Sequence, residues 1–549
     1  MEAEIGDATP PAKAGAGRIV LGFVFALISA VMLFLMWNYT ANLWPLVLIA
    51  FVPMYVAAYR LLPRKLAPFA FAIAAFGYWL AMWLQGGGIL SPAVVYTAAL
   101  LFAAVWFVLG IFERRFTERT NYKWFIVQLP LLWIGLEVLF QDNLLVGSNY
   151  WIGYRMAALP QVIQPVSILS SPALGFLIIM VNAAIALAIL KLMDKRWPAM
   201  ADVKIPAITV KWSSITTGAL VIVWVASSLA IFSAVSNQMG PVVTVAAAQS
   251  GIKHTTSSGQ LGEGGQQGTA ADIARNVKLQ AQMTKMTMEA AQKGAKLVVW
   301  PEEELDYDVR VAAKGAWIGE LAKAANTTIV AGFMPESPSL KSPNLAAVWY
   351  PNGELSKQVY AKQHQVVAEG EEFQSGTSAA VYNTDFGQLG VIICFDHDFP
   401  DSSARTTVAA GANILAVPAI DPYTLSHLRW QSLVFRAVEN RVPIVKTDVG
   451  FDSAIVDANG VVRDRIAVDD DAGRAALLVA DVHIGPRDAP VHGHRRVHLR
   501  LVRHRRIDRA LHSPVHLVAA WSASPSPCQR VRPRLRQRNL HQRVINDPH

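Results

Sequence analysis

Seven long apolar runs in the first 236 residues dominate the hydrophobic pattern of the chain. Each is close to the roughly 20 residues that a helix needs to cross a bilayer. A buried helix of a soluble protein would account for any one run, but not for seven in succession. We therefore predict a disordered polar N-terminus over residues 1–17 and a helical membrane domain over residues 18–236. The predicted transmembrane helices lie near 19–37, 43–59, 67–84, 92–111, 124–140, 173–192 and 215–235.

The basic residues between these runs are confined to alternate loops. They precede the first run and lie between the second and third, between the fourth and fifth, and around the connection of the sixth and seventh. The other connections hold Arg155 as their one basic residue. Because positively charged short loops stay in the cytoplasm, we predict a cytoplasmic N-terminus. Seven spans then place the chain beyond residue 242 outside the cytoplasm.

From residue 242 the pattern changes to short apolar strands that alternate with helices, including helices at 271–294, 311–326, 402–410 and 429–440. This alternation predicts an α/β domain over residues 242–484. Three predicted strands end at side chains of complementary chemistry, which are Glu302, Lys362 and Cys394. Active sites of open α/β sheets lie at such strand ends.

A lone cysteine at a strand end is more often a small buried hydrophobe than a nucleophile. A carboxylate and a lysine at neighbouring strand ends change that interpretation. Glu302 is suited to take the thiol proton, and Lys362 to lower the thiol pKa and stabilise an oxyanion. Together with Cys394 they indicate covalent acyl chemistry.

The three strand ends resemble the Glu-Lys-Cys triad of the nitrilase or carbon–nitrogen hydrolase superfamily. The resemblance extends from about residue 242 to about residue 482 and implies a four-layer α-β-β-α sandwich. It also implies supporting roles for Phe395, Asp396 and Glu371, with Glu369 and Glu372 as rivals for the last position. The motifs that carry it are Trp300-Pro301-Glu302, Tyr360-Ala361-Lys362 and Cys394-Phe395-Asp396, with Asn344 before a further strand.

Seven spans followed by an extracytoplasmic nitrilase-like domain resemble the apolipoprotein N-acyltransferase family. That resemblance implies a multi-pass protein of the bacterial inner membrane, and the hydrophobic content of 53% fits a membrane enzyme. Its substrates would be a phospholipid acyl donor and the diacylglyceryl-cysteine of an apolipoprotein. No cofactor is implied, and His364, His397 and His427 lack metal-ligand spacing, so we predict no metal.

One segment departs from the family pattern and leaves two alternatives open. The family has a tryptophan-containing loop where residues 418–424 offer Tyr423 as the one aromatic side chain. This departure motivates a membrane-tethered amidase, in which the same triad passes the acyl group to water. The second alternative is a catalytically impaired membrane protein that lacks the family's last span.

The positive charge of the chain lies at its C-terminus. The formal net charge is +9, yet residues 487–549 alone contain 14 Arg against 3 acidic residues. A basic tail is typical of nucleic-acid binding, but an extracytoplasmic location offers no such partner, and we predict none. We expect residues 485–549 to be a disordered Arg/His/Pro-rich tail, and we favour a shifted reading frame through an eighth span as its origin.

Overall fold

The computed structural model describes residues 15–38, 41–85, 90–143, 147–252, 270–335, 342–367, 373–468 and 472–485. The predictions for residues 1–14 and for the tail from residue 486 lie outside these ranges. So do Glu371 and its rivals Glu369 and Glu372. The description therefore covers most of the predicted membrane domain and of the predicted α/β domain.

The first half of the described chain is helical, as the apolar runs predict. Five segments are long and apolar enough to cross a membrane, namely Ala16–Trp37, Leu43–Leu61, Pro92–Arg119, Ser171–Arg196 and Ala207–Ser236. Two shorter apolar helices contain 17 and 16 residues. The α-helices of this region are α1 (Ala16–Asn38), α2 (Val52–Val56), α3 (Pro68–Leu84), α4 (Pro92–Arg119), α5 (Phe125–Phe140), α6 (Val166–Leu169), α7 (Ser171–Arg196) and α8 (Ala207–Ser236).

The second apolar run is not the single helix that its hydrophobic pattern predicts. It consists of a 3-10 turn (Ala41–Leu48), the short α2, and a wider π-type turn (Ala57–Leu61). Pro45 lies inside the first turn, and Pro53 occupies the first turn of α2. Because proline lacks an N–H donor and clashes with the preceding turn, one continuous helix cannot include both positions.

The contacts of basic side chains lie at one end of the helices, and a contact with the second half of the chain lies at the other end. Near the start of α1, Arg18 donates to the carbonyls of Arg60 and Met200. Arg114, near the end of α4, pairs with Asp202 at 2.7 Å. The basic residues of the alternate loops therefore gather on one side. At the other end of α3, the hydroxyl of Thr424 donates to the carbonyl of Gln85 at 2.6 Å.

The second half of the chain forms two six-stranded sheets. The first has the order β12-β1-β2-β3-β4-β5, and the second β11-β10-β9-β8-β7-β6. In each, parallel pairs in the interior are flanked by antiparallel strands. The strands are β1 (Val242–Gln249), β2 (Leu297–Val299), β3 (Thr328–Phe333), β4 (Leu345–Trp349), β5 (Tyr360–Ala361), β6 (Ala380–Asn383), β7 (Gln388–Val391), β8 (Ile414–Ala419), β9 (Ile444–Asp448), β10 (Asp452–Val456), β11 (Val462–Ala467) and β12 (Ala476–His483).

The two sheets pack face to face, and helices cover their outer sides. α9 (Ala270–Gln292) and α10 (Ala312–Ala325) pack on the first sheet, and α11 (Arg405–Ala409) and α12 (Arg429–Asn440) on the second. β2, β3, β8, β9 and β10 are buried at every position. This is typical of strands covered on both faces. The predicted α-β-β-α sandwich behind a helical membrane region is confirmed.

A long connection between α5 and α7 joins the helical region to α12. Tyr154 accepts a hydrogen bond from Arg436 at 2.7 Å. Ser171 donates to Glu439 at 2.5 Å. The connection is itself anchored by Glu137, which accepts from the backbone of Ile152 at 2.9 Å. The intramembrane carboxylate Glu137 therefore holds this connection in place.

We expect Gly77→Ala to destabilise the packing of α1 on α3. A Cβ at Gly77 would lie 2.7 Å from the backbone Cα of Ala30, and backbone cannot give way as a side chain does. We expect a cost of about 1–3 kcal/mol, seen as a lower Tm of the purified protein in detergent. Gly218→Ala in α8 is the matched control, because a Cβ there meets nothing within 4 Å. Equal Tm values for the two variants would contradict the close packing.

Candidate active site

Two of the three predicted catalytic residues form a buried ion pair. Glu302 follows β2, Lys362 follows β5, and Lys362 Nζ lies 2.9 Å from Glu302 Oε1. The two side chains are 1% and 2% exposed. Both strands belong to the first sheet, so the pair lies where this sheet presents its strand ends to the second.

Further hydrogen bonds from both sheets satisfy the Glu302 carboxylate. Asn344 Nδ2 donates to Glu302 Oε1 at 2.8 Å and to Glu303 Oε1 at 2.9 Å. From the second sheet, the N–H of Ile420 donates to Glu302 Oε2 at 2.8 Å. A buried ion pair is stable only when such extra bonds offset the loss of water. The orientation of Glu302 therefore depends on groups of both sheets.

A close backbone approach fixes the turn that carries Glu302. A Cβ at Gly332 in β3 would lie 2.5 Å from the Glu302 Cα and from the Pro301 carbonyl oxygen. The turn continues through Glu303, which has a φ of +50°. The absence of a side chain at Gly332 thus lets β3 lie directly beside the turn. The N–H of Gly332 donates to the carbonyl of Pro301 at 3.0 Å.

Cys394 occupies a tight turn just after β7. Its φ is +44°, and it begins a 3-10 turn (Cys394–Asp398). Such a backbone conformation costs about 1–3 kcal/mol in a residue with a side chain. The side chain is buried, with Sγ 3.7 Å from the carbonyl oxygen of Ile420 and 3.9 Å from Asp421 Oδ1. Ile420 thus contacts both Cys394 and Glu302, so the three predicted residues converge.

Asp396 joins the cysteine turn to the segment that carries the lysine. Its Oδ2 accepts from the backbone of Ile393 at 3.0 Å and from the hydroxyl of Tyr360 at 2.7 Å. Its Oδ1 accepts from the backbone N–H groups of Gln363 and His364, at 3.1 and 3.0 Å. The His364 ring nitrogen Nδ1 lies 2.8 Å from the same oxygen. This carboxylate therefore fixes two strand ends relative to each other.

The electrostatic state of the thiol differs from the sequence-based expectation. Burial raises the pKa of Cys394 well above its ordinary value, and the carboxylates of Glu302 and Asp421 raise it further. The cations of Lys362 and Arg429 lower the thiol pKa, but by less than burial and the carboxylates raise it. Lys362 lowers the thiol pKa, as predicted, but the net shift is upward because burial and the two carboxylates outweigh it. Thiolate formation needs a base or a change on substrate binding.

The three residues predicted to support the triad, Phe395, Asp396 and Glu371, do not share one role in the structure. Phe395 is buried and packs edge to face on Phe399, with ring centroids 5.0 Å apart. Asp396 holds the turn together, as described above. Behind the turn, burial and then the nearby Arg429 lower the pKa of His397 to about 4, so this ring is neutral. Glu371 lies outside the described residues.

Sequence reasoning missed a group of buried charges beside the cysteine. Asp421 pairs with Arg429 Nε at 2.9 Å and with Lys446 Nζ at 2.8 Å. Lys446 is fully buried within β9. A lysine inside a strand that begins with apolar residues is a signal for such a group, because lysine is almost never fully buried unless it is paired.

Comparisons with known protein families agree with this two-part architecture. Residues 244–484 match the carbon–nitrogen hydrolase family model. Residues 29–184 match the model of the apolipoprotein N-acyltransferase N-terminal domain. Together the two models match more than half of the chain, the first over the two-sheet region and the second over the helical region. With its five span-length apolar helices, the chain is a membrane protein.

Individual relatives fall into a long and a short group. An apolipoprotein N-acyltransferase from Geobacter metallireducens is 28% identical over 486 residues, which covers 80% of this chain and 86% of that protein. A nitrilase from Pyrococcus abyssi is 32% identical over 181 residues, covering 30% of this chain and 66% of that protein. A chloroplastic omega-amidase from Arabidopsis thaliana is 28% identical over 208 residues, covering 33% and 55%. The match to the acyltransferase spans both halves of the chain.

A Nesterenkonia amidase of the nitrilase superfamily aligns with 46% of this chain and 94% of its own, at 20% identity and a TM-score of 0.36.

We expect Asp396→Asn to weaken the hydrogen bonds that connect the turn of Cys394 to the segment that carries Lys362. Both carboxylate oxygens accept hydrogen bonds, so an amide of the same size must turn its NH₂ toward one set of donors. Each buried donor left unpaired costs about 1–3 kcal/mol. The Tm in detergent should therefore fall by several degrees. Asp385→Asn is the matched control, since Asp385 is exposed. A Tm of the Asp396 variant equal to that of wild type would contradict this role.

Proposed function

The chain belongs to the apolipoprotein N-acyltransferase family, and on that premise we propose that it transfers a fatty acyl group between lipids. The donor is a membrane phospholipid, and the acceptor is the α-amine of the diacylglyceryl-cysteine of an apolipoprotein. The observation that carries the catalytic part is the buried Glu302–Lys362 pair beside Cys394, at 2.9 Å. These three residues are the proposed catalytic triad.

In the first half-reaction the thiol attacks the acyl ester of the phospholipid. The proton of Sγ passes to Glu302 while the bond between Sγ and the carbonyl carbon forms. Lys362 and a backbone N–H near Phe395 stabilise the oxyanion. The carbon–oxygen bond then breaks, and Glu302 returns the proton to the leaving lysophospholipid. The product is a thioester on Cys394.

In the second half-reaction the acceptor amine takes the place of the thiol. The α-amine attacks the thioester carbonyl and loses a proton to Glu302. The carbon–sulfur bond breaks, and the proton returns to Sγ. The acyl group is then held in an amide bond, and Cys394 is a thiol again. Lys362 stabilises the oxyanion in both steps, and Glu302 carries the proton in both.

The distribution of charge supports a location in the bacterial inner membrane with the catalytic domain outside the cytoplasm. Arg18, Arg60, Arg64 and Arg114 lie together at one end of the helices. Clustered basic residues are typical of the cytoplasmic side. The contact between Thr424 and Gln85 lies at the other end of α3. The proposed site therefore faces the outer leaflet, where both lipid substrates are reached from the bilayer.

The test is an assay with acyl-labelled phospholipid and a synthetic diacylglyceryl peptide. Wild type should move the label to the peptide amine and release lysophospholipid. Cys394→Ala should lose this activity by about a thousandfold or more, because it removes the nucleophile. Cys528→Ala is the matched control, since these are the two cysteines of the chain, and it should retain activity.

Other products would support the alternatives. Labelled free fatty acid as the sole product, with the peptide unmodified, would indicate an amidase-like hydrolase that uses water as acceptor. No product from wild type would indicate a catalytically impaired membrane protein. Full acyl transfer by Cys394→Ala would end the proposal of a cysteine mechanism.

A further inference from the structure

The segment that departs from the family pattern brings a second carboxylate to the thiol. Residues 418–424 comprise the end of β8 and the loop after it, and Asp421 in this loop is 3% exposed. Its Oδ1 lies 3.9 Å from Cys394 Sγ, within range of a sulfur hydrogen bond. The preceding carbonyl, that of Ile420, lies 3.7 Å from the same sulfur. The thiol therefore has two acceptors on the side of the second sheet.

Three buried groups hold the Asp421 carboxylate and its backbone in place. Arg429 Nε lies 2.9 Å and Lys446 Nζ 2.8 Å from its oxygens. Its backbone N–H donates to Asp448 Oδ2 at 2.7 Å. Burial alone would raise the pKa of Asp421, but the Arg429 and Lys446 cations hold it below the usual range. Asp421 is therefore ionised, and it accepts a hydrogen bond without taking the proton.

The Glu302 carboxylate is engaged differently. Both of its oxygens already have partners, with Lys362 at 2.9 Å and Asn344 at 2.8 Å on Oε1 and Ile420 N–H at 2.8 Å on Oε2. The sulfur contacts are instead to the carbonyl of Ile420 and to Asp421. In the resting site the thiol hydrogen thus points toward the second sheet, away from its proposed base.

Among the residues that the structure describes, four charged groups act on the thiol from the two sheets. Glu302 and Lys362 belong to the first, and Asp421 and Arg429 to the second. Their charges are balanced two against two, so burial decides the resting state and favours the uncharged thiol. A negative charge on Cys394 would be disfavoured by Glu302 and then by Asp421, and Asp421 stays ionised because two cations hold its pKa below the usual range.

We propose that Asp421 is a catalytic residue that keeps Cys394 as a hydrogen-bonded neutral thiol until an acyl donor reaches the site. The catalytic role of Asp421 rests on the proposed acyl transfer, whereas its effect on the protonation of the thiol does not. When the donor binds, the proton passes from Sγ to Glu302 as the sulfur–carbon bond forms, and Asp421 stays ionised throughout. Because thiolates rather than thiols react with oxidants and alkylating agents, the resting enzyme is protected.

The experiment measures the rate of Cys394 alkylation by iodoacetamide as a function of pH. It uses the full-length chain in detergent, in a Cys528→Ser background and without lipid substrate. In wild type we expect the midpoint above about 8.5, the ordinary thiol value. Asp421→Asn should move the midpoint down by about one pH unit or more, so that alkylation below the midpoint becomes about tenfold faster.

Asp452→Asn is the matched control. Asp452 also pairs with Lys446, at 3.1 Å, but the thiol's hydrogen bonds are to Ile420 and Asp421. Both substitutions remove one negative charge beside Lys446, and only one removes it beside the sulfur. The midpoint of the Asp452 variant should therefore stay closer to that of wild type.

Three results would overturn the proposal. They are a wild-type midpoint below the ordinary value, an unchanged or higher midpoint in Asp421→Asn, and an equal shift in both variants. The first requires no variant, so the proposal is testable even if Asp421→Asn fails to fold. Because no lipid is present, failure here is distinct from failure of the proposed function. A chain without acyl-transfer activity but with the expected midpoints would contradict only the latter.

Discussion

The buried pair of Glu302 and Lys362 is the constraint around which the catalytic half is organised. Two opposite charges without water are stable only if their remaining hydrogen-bonding capacity is met. Asn344 supplies one bond from the first sheet, and the Ile420 N–H supplies another from the second. The sheets must therefore meet in one register, and that register also brings Cys394 next to Ile420. Sheet packing and assembly of the site are the same event.

The helical region contacts the catalytic half at the segments that flank the cysteine. The N–H of Ser148 donates to the carbonyl of Asp398 at 2.8 Å, within the turn that Cys394 begins. Thr424, three residues after Asp421, donates to the carbonyl at the end of α3. The helical region is thus hydrogen-bonded to both the turn that begins at Cys394 and the loop that carries Asp421.

Much of this arrangement was predictable because it depends on local patterns. The bounds of α12 and the three strand ends follow from periodicity and turn signals, and the predicted fold is confirmed. The strands β6 and β11 were missed because neither has a continuous apolar run, since β6 reads Ala-Val-Tyr-Asn and β11 reads Val-Arg-Asp-Arg-Ile-Ala. The positive φ of Cys394, the raised pKa of its thiol and the contact with Asp421 arise from packing between the sheets, which no local pattern encodes.

The central claim is that an acyl group rests covalently on Cys394, and peptide mass analysis tests it most directly. The purified chain is incubated with phospholipid in the absence of any acceptor. It is then digested, and the masses of its peptides are measured. The account predicts that the fragment containing Cys394 gains the mass of one acyl chain. Neutral hydroxylamine or an added diacylglyceryl peptide should remove this mass. An unmodified Cys394 in a preparation that still transfers acyl groups, or a stable adduct on another residue, would contradict the account.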